Sequence, residues 1–186
     1  MVSLAQLWMP IVLAAVLVFV TSSLIHMVFR WHNSDYRKFA NEDEVRAAIR
    51  ASTPAPGQYV LPYYPDPKEM QTPEAQRKFT EGPVGFLLLR PPGMPGMGAS
   101  LGQWFALNLL VAIVAGYLAS RAVPAGASFL AVCRVVSITT FLAYATGGLQ
   151  MAIWMGKPWG SAAKEFLDAF LYALVSALAF GWLWPR

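Results

Sequence analysis

The chain is poor in cysteine, histidine and charge, and each scarcity removes a class of protein. One cysteine, Cys133, lies inside an apolar run, so no intramolecular disulfide can form and the residue reads as packing. Charged residues make up 13% against 56% hydrophobic ones, far too few for an ordinary soluble domain of 186 residues. The net charge of +4 comes with no basic stripe, which argues against a nucleic-acid partner. H-E-x-x-H, C-x-x-C and G-x-S-x-G patterns do not occur. The expectation is therefore a protein without catalytic residues or a bound cofactor.

What the sequence does have is apolar length. Residues 7–30 open with "LWMPIVLAAVLVFVTSSLIHMVF", 23 residues in which His26 is the one group able to carry charge. At 1.5 Å per residue that run covers roughly 34 Å, enough for a hydrocarbon core of about 30 Å. No Lys or Arg precedes it and it exceeds a signal-peptide core, so it reads as a retained transmembrane helix, with Pro10 tolerated in its first turn. Three more spans are predicted at 101–120, 129–155 and 165–184, the third long enough to tilt. The fold class that follows is mainly α and integral to the membrane. It is a four-helix bundle with a small α/β insert, residues 31–100, between the first two spans.

Tryptophan and charge placement extend this reading. Trp8, Trp31, Trp104, Trp154, Trp159, Trp182 and Trp184 all fall at or just beyond span ends, where an apolar ring with one N–H donor suits the headgroup layer. With four spans, both termini share one side. Of fourteen basic residues, eleven lie on the insert side and three, Arg121, Arg134 and Arg186, on the other. Arg30, Arg37, Lys38, Arg46 and Arg90 near the insert's ends weigh most, which predicts a cytoplasmic insert and external termini.

The insert alternates structure signals with breakers. "NEDEVRAAIR" offers Asn41 as N-cap and Glu44 as its capping-box partner. "GQYVLPYY" reads as a strand weakened by Pro62, "TPEAQRKF" as a helix with Thr72 as N-cap and Pro73 at its first position, and "GPVGFLLL" as a second strand ended by Pro91. The order is helix, strand, helix, strand, with the strands paired so that neither backbone is left unsatisfied. Acidic and basic residues balance within it at eight each, so a polybasic lipid-binding patch is not expected. Such a small unit has little core of its own and should dock on the bundle, the membrane or a protein partner. Met94 and Met97 in the connector are two thioethers, too few to assign copper.

Small residues recur every fourth position: Asn108, Ala112, Gly116 and Ser120 in span two, Ala169, Ala173, Ala177 and Gly181 in span four. In lipid such stripes let helix backbones approach closely, within one chain or between copies. Each span also carries a polar group in the half nearer the insert: His26, Asn108, Gln150 and Asp168. A lone carboxylate there must pair or stay protonated, so Asp168 is expected to face the bundle with His26 or Lys164 as partner. On a continuous helix His26 and His32 point to different sides, being about 600° apart. His32 and Asp35 could share a face, but two ligands fall short of the three or four that zinc takes. No metal is assigned, and His32 to Asp35 read as the cap of span one.

The stretches "SSLIHMVFRWHNSDYRKFANED", "GPVGFLLLRPPGMPGMG" and "FGWLWPR" resemble an uncharacterised family of small bacterial inner-membrane proteins. The resemblance implies four spans, a polar insert after the first, and a place in the inner membrane; it implies no activity or ligand. The leading expectation is a non-enzymatic accessory, scaffold or regulatory component whose insert meets a protein partner. The alternative is a small oligomeric ion, proton or solute transporter that uses the polar layer. A lipid-directed enzyme with His32 and Asp35 as acid–base groups ranks last.

Overall fold

The computed structural model describes residues 2–186. The protein is mainly α, with four helices long and apolar enough to cross a membrane and a two-stranded antiparallel sheet between the first and second. The first span runs Leu4–Phe29: a 3-10 turn capped by Ser3, helix α1 (Trp8–Ser23) and a π-helical turn, Leu24–Phe29. Helices α2 (Glu42–Ala51) and α3 (Pro73–Glu81) and strands β1 (Gly57–Leu61) and β2 (Gly85–Leu89) form the insert. The remaining spans are α4 (Met97–Ala122), α5 (Phe129–Met155) and α6 (Trp159–Leu183). At 25 to 27 residues these three helices are about 38–40 Å long, more than the hydrocarbon layer needs.

Two helices start earlier than their apolar runs. Span two was expected at 101–120 but its helix begins at Met97, and span four was expected at 165–184 but α6 begins at Trp159. Hydropathy marks where a helix enters lipid, whereas backbone hydrogen bonding continues into the polar layer. The added turns of α6 are therefore the polar ones, carrying Ser161 and Lys164.

The chain divides into two compact units. The first comprises the chain up to Tyr36, Gly96–Ala152 and Lys157–Arg186; the second comprises Arg37–Pro95 with Ile153–Gly156. In the first, α1 packs on both α4 and α6. The small-residue stripes lie inside it. Ala112, Ala169, Ala173 and Ala177 are buried, and a Cβ at Gly116 would come within 3.1 Å of Phe180 and 3.3 Å of Ile11. At Gly181 a Cβ would come within 2.6 Å of the Phe129 ring and 2.9 Å of Cys133 Sγ. Phe180 and Leu7 are fully buried among alanines and valines. In lipid this contact supplies the cohesion that water supplies elsewhere.

The α5 helix stands off by larger side chains. Phe141 meets Phe166 edge to face at 4.8 Å, Tyr144 meets Tyr172 at 5.2 Å, and Cys133 Sγ donates to Ala177 O at 3.3 Å. An apolar groove of about 470 Å³ runs between α5 and α6.

Tryptophan placement needs one correction. Trp8, Trp31, Trp154, Trp159 and Trp182 are exposed, but Trp104 and Trp184 belong to the bundle. Trp104 Nε1 donates to Ser22 Oγ at 2.8 Å, and buried Trp184 donates to Pro124 O at 2.9 Å. Protein acceptors claimed these indoles before headgroups could.

Within the second unit β1 and β2 pair antiparallel, Gly57 opposite Leu89 and Leu61 opposite Gly85. Strand β1 stops before Pro62, which has no N–H for the ladder. Thr72 caps α3 as expected, its Oγ1 accepting from Ala75 N at 3.3 Å. Asn41 precedes α2 but makes no side-chain cap; its amide instead donates to Glu44 Oε2 at 2.9 Å, so the expected capping box does not form. The ion pairs here, such as Lys78 with Glu74 at 2.7 Å, are exposed and local.

Candidate functional site

The site begins with a failure of the α-helical ladder. Ser22 and Ser23 both turn their hydroxyls back onto Phe19 O, at 2.9 and 2.8 Å, which loosens the helix just ahead of them. From Leu24 the winding is π, and Arg30 N bonds to Ile25 O at 3.0 Å. Arg30 then takes a left-handed conformation, φ 53° and ψ 27°, and the chain folds into a 3-10 turn, Trp31–Asp35. Turns of this width occur at helix C-termini, and here the turn re-aims the chain toward α6.

This geometry overturns the expectation that His26 and His32 point apart. That expectation assumed continuous α winding; the π turn and the left-handed Arg30 bring the rings into a stack, centroids 4.7 Å apart and 6° from parallel. It also reassigns the partner of Asp168. The carboxylate meets His32 Nε2 at 2.8 Å through Oδ2, rather than pairing with His26 or Lys164. On its other side His32 Nδ1 meets Asp35 Oδ2 at 2.8 Å. One imidazole thus bridges a carboxylate from the turn and a carboxylate from α6.

Lys164, one helical turn before Asp168, serves the turn instead. Its Nζ donates to Trp31 O at 2.9 Å, Ser34 Oγ at 2.7 Å and Asp35 Oδ1 at 2.7 Å, which uses all three ammonium protons. Hydrogen bonding to Lys164 holds the Asp35 carboxyl below its usual value; burial opposes this, and His32 and Ser161 reinforce it. Asp35 is an anion at neutral pH, and the turn is tied to α6 by an ion pair with further hydrogen bonds around it.

His26 is oriented separately. Its Nδ1 lies 2.9 Å from Ser22 O. A carbonyl oxygen can only accept, so Nδ1 carries the proton and Nε2 is left facing His32 and Asp168. Asp168 is 4% exposed, and its Oδ1 has no partner among the described residues.

Two cavities meet at His26. One, about 410 Å³, is bounded by His26, His32, Asp35, Lys157, Ser161 and Glu165. The other, about 260 Å³, is bounded by His26, Ser22, Ser23, Leu101, Trp104 and Tyr172. Glu165 pairs with Lys157 and lies against α5, where a Cβ at Gly148 would overlap its carboxylate. Gly148 leaves the room that this acid occupies.

Of the predicted polar layer, His26 and Asp168 join this cluster, while Asn108 and Gln150 do not. Asn108 lies deeper, accepting from Tyr144 Oη at 2.8 Å; its Nδ2, like Thr140 Oγ1 on α5, has no partner among the described residues. Gln150 is exposed. The expected cap of span one is made instead by Arg30, through its N–H on Ile25 O and its Nε on Met27 O, while His32 and Asp35 reach α6. The aromatic trio Trp104, Tyr144 and Tyr172 between the cluster and Asn108 escaped the sequence reading, as did Lys157, Ser161 and Glu165. One signal was available: "KEFLD" sets Lys164, Glu165 and Asp168 within one turn of an otherwise apolar helix. Compared with protein-family models, with curated proteins and with solved structures, the chain matches none.

Proposed function

We propose that this is a multi-pass, non-enzymatic protein of the bacterial inner membrane whose working part is the His–Asp cluster at one end of the bundle. In this reading the cluster takes up a small ion from the aqueous side and passes it toward the bundle interior. The observation that carries the reading is the bridge through His32, with one oxygen of buried Asp168 having no partner among the described residues. An intramembrane carboxylate is costly unless it serves a site. The meeting of two cavities at His26 and the deeper polar groups Asn108, Tyr144 and Thr140 support a route inward. The excess of Lys and Arg on the insert side favours a cytoplasmic insert and external termini.

The test is ion flux into proteoliposomes, followed with entrapped proton- and cation-sensitive dyes. Wild-type vesicles should outpace empty ones, and Asp168→Asn or His32→Ala should remove the difference. Wild-type flux equal to that of empty vesicles, or undiminished flux in both variants, would overturn the reading.

A second reading rests on the insert. Tyr63, Val84, Phe86 and Leu88 are 47 to 70% exposed, and Phe86 lines a hollow of about 330 Å³. An apolar surface on so small a unit suits an accessory subunit that docks on a protein partner. A protein that co-purifies from native membranes and is lost on deleting 41–90 would favour this reading over ion passage.

A further inference from the structure

From the way both imidazoles are held, we infer that the cluster is a binding site for a divalent first-row transition ion of the zinc type, with His26 Nε2, His32 Nε2 and the Asp168 carboxylate as ligands. The inference rests on the cluster being the functional centre and names the ion that the centre takes.

Three observations converge. The ligand atoms of His26, His32 and Asp168 lie within 4.8 Å of one another. Tetrahedral zinc with bonds of about 2.0–2.1 Å spaces its ligand atoms by about 3.3 Å, so the wider pairs must close by at most about 1.5 Å while the His32–Asp168 contact opens slightly. His26 is exposed, so its ring can turn about the contact with Ser22 O and leave the stack on His32, which an ion in the plane of both rings requires. Next, each ring already has the outer support that metal-bound histidines have. His26 Nδ1 donates to a backbone carbonyl, that of Ser22, and His32 Nδ1 faces the carboxylate of Asp35, both at hydrogen-bond distance. That arrangement fixes the tautomer that presents Nε2 to an ion. Finally, Asp168 brings a buried oxygen with no partner among the described residues.

The chemistry of the donor set agrees. Two imidazoles and one carboxylate suit zinc or its first-row neighbours and leave a fourth position. The 410 Å³ cavity beside His26 and His32, with Ser161 and Glu165 in its wall, has room for that fourth ligand. Charge agrees as well. With both imidazoles neutral, Asp35, Asp168 and Glu165 against Lys157 and Lys164 leave one net negative charge to meet a dication. The His32–Asp168 hydrogen bond occupies the place that the ion would take, so binding displaces one proton from that contact.

The full-length protein in detergent, stripped with a chelator, should bind one equivalent of Co²⁺ with the visible absorption of a four-coordinate site, and Zn²⁺ should displace it. His26→Ala and Asp168→Asn should weaken binding about 100-fold or more, and Asp35→Asn, which alters the support of His32, about 10- to 100-fold. Because His26 is exposed, its alanine variant keeps the test valid if Asp168→Asn proves unstable. The absence of saturable binding in the wild type, or undiminished binding in His26→Ala, would overturn the metal site. Binding without ion flux would leave the site and remove the passage reading, and flux without binding would do the reverse.

Discussion

The two ends of the bundle are built on opposite principles. At the end holding the chain termini, Leu7, Ile11, Phe180 and Trp184 pack against Ala112, Ala115, Ala119 and Ala179; a Cβ would crowd Phe180 at Gly116 and strike the Phe129 ring at Gly181. At the other end the contacts are ionic and directional: His32 between two carboxylates, and Lys164 on three acceptors. The first end is held by shape and tolerates no added volume. The second is held by matched donors and acceptors, so it tolerates changes of volume better than the loss of a partner. A membrane protein can divide its labour in this way because lipid penalises an unpaired charge but gives apolar helices no reason to associate except fit.

Substitutions can break this comparison end by end. The largest effect is expected from Gly181→Leu, whose side chain would collide with Phe129 and Cys133. Overpacking of this kind costs about 1–3 kcal/mol, and thermal unfolding in detergent should register it as the lowest melting temperature of the three variants. Lys164→Met comes next. It removes three hydrogen bonds from the Trp31–Asp35 turn but keeps the aliphatic stem, for a loss of about 1–2 kcal/mol given the partial exposure of the ammonium. Faster proteolysis between Arg30 and Arg37, with the spans intact, would localise the damage. Gly148→Ala should cost least, under about 1 kcal/mol, because the clash falls on the mobile end of Glu165 and its pair with Lys157 is partly exposed. If Gly148→Ala destabilises more than Gly181→Leu, the contrast between the ends is wrong.

How much of this was legible follows the same division. The apolar end was open to reading because its rules are one-dimensional: run length marks the spans, and the four-residue period marks the stripes that hold Gly116 and Gly181. The insert's order of elements was equally open, since Thr72, Pro73 and Pro62 act locally. The ionic end was half hidden. His26, His32, Asp35 and Asp168 could be singled out for their cost in or near lipid, but their pairing could not, because it depends on how Leu24–Phe29 winds. Six residues of α-helix separate the two histidines in angle; the same six with π winding and a left-handed Arg30 stack them. The hint lay in adjacent serines, Ser22 and Ser23, whose hydroxyls compete for a backbone carbonyl. Nothing in hydropathy reports that competition. Beginning span four at residue 165 also left Lys164 outside the helix, when it belongs to the first turns of α6.

The π turn gives the stretch from Leu24 to Phe29 an unusual relation to chain length. A π turn is an α-helical turn carrying one surplus residue, so deleting any single residue there would restore ordinary winding while leaving a span still long enough for the bilayer. The π turn absorbs its surplus residue, so the chain beyond would keep nearly its heading toward α6, and the loss would fall on how His26 is placed against His32. In a continuous α-helix a one-residue deletion turns everything beyond it by about 100°. Here the surplus residue sets how the two imidazoles meet, so its deletion should unstack them while leaving the span intact.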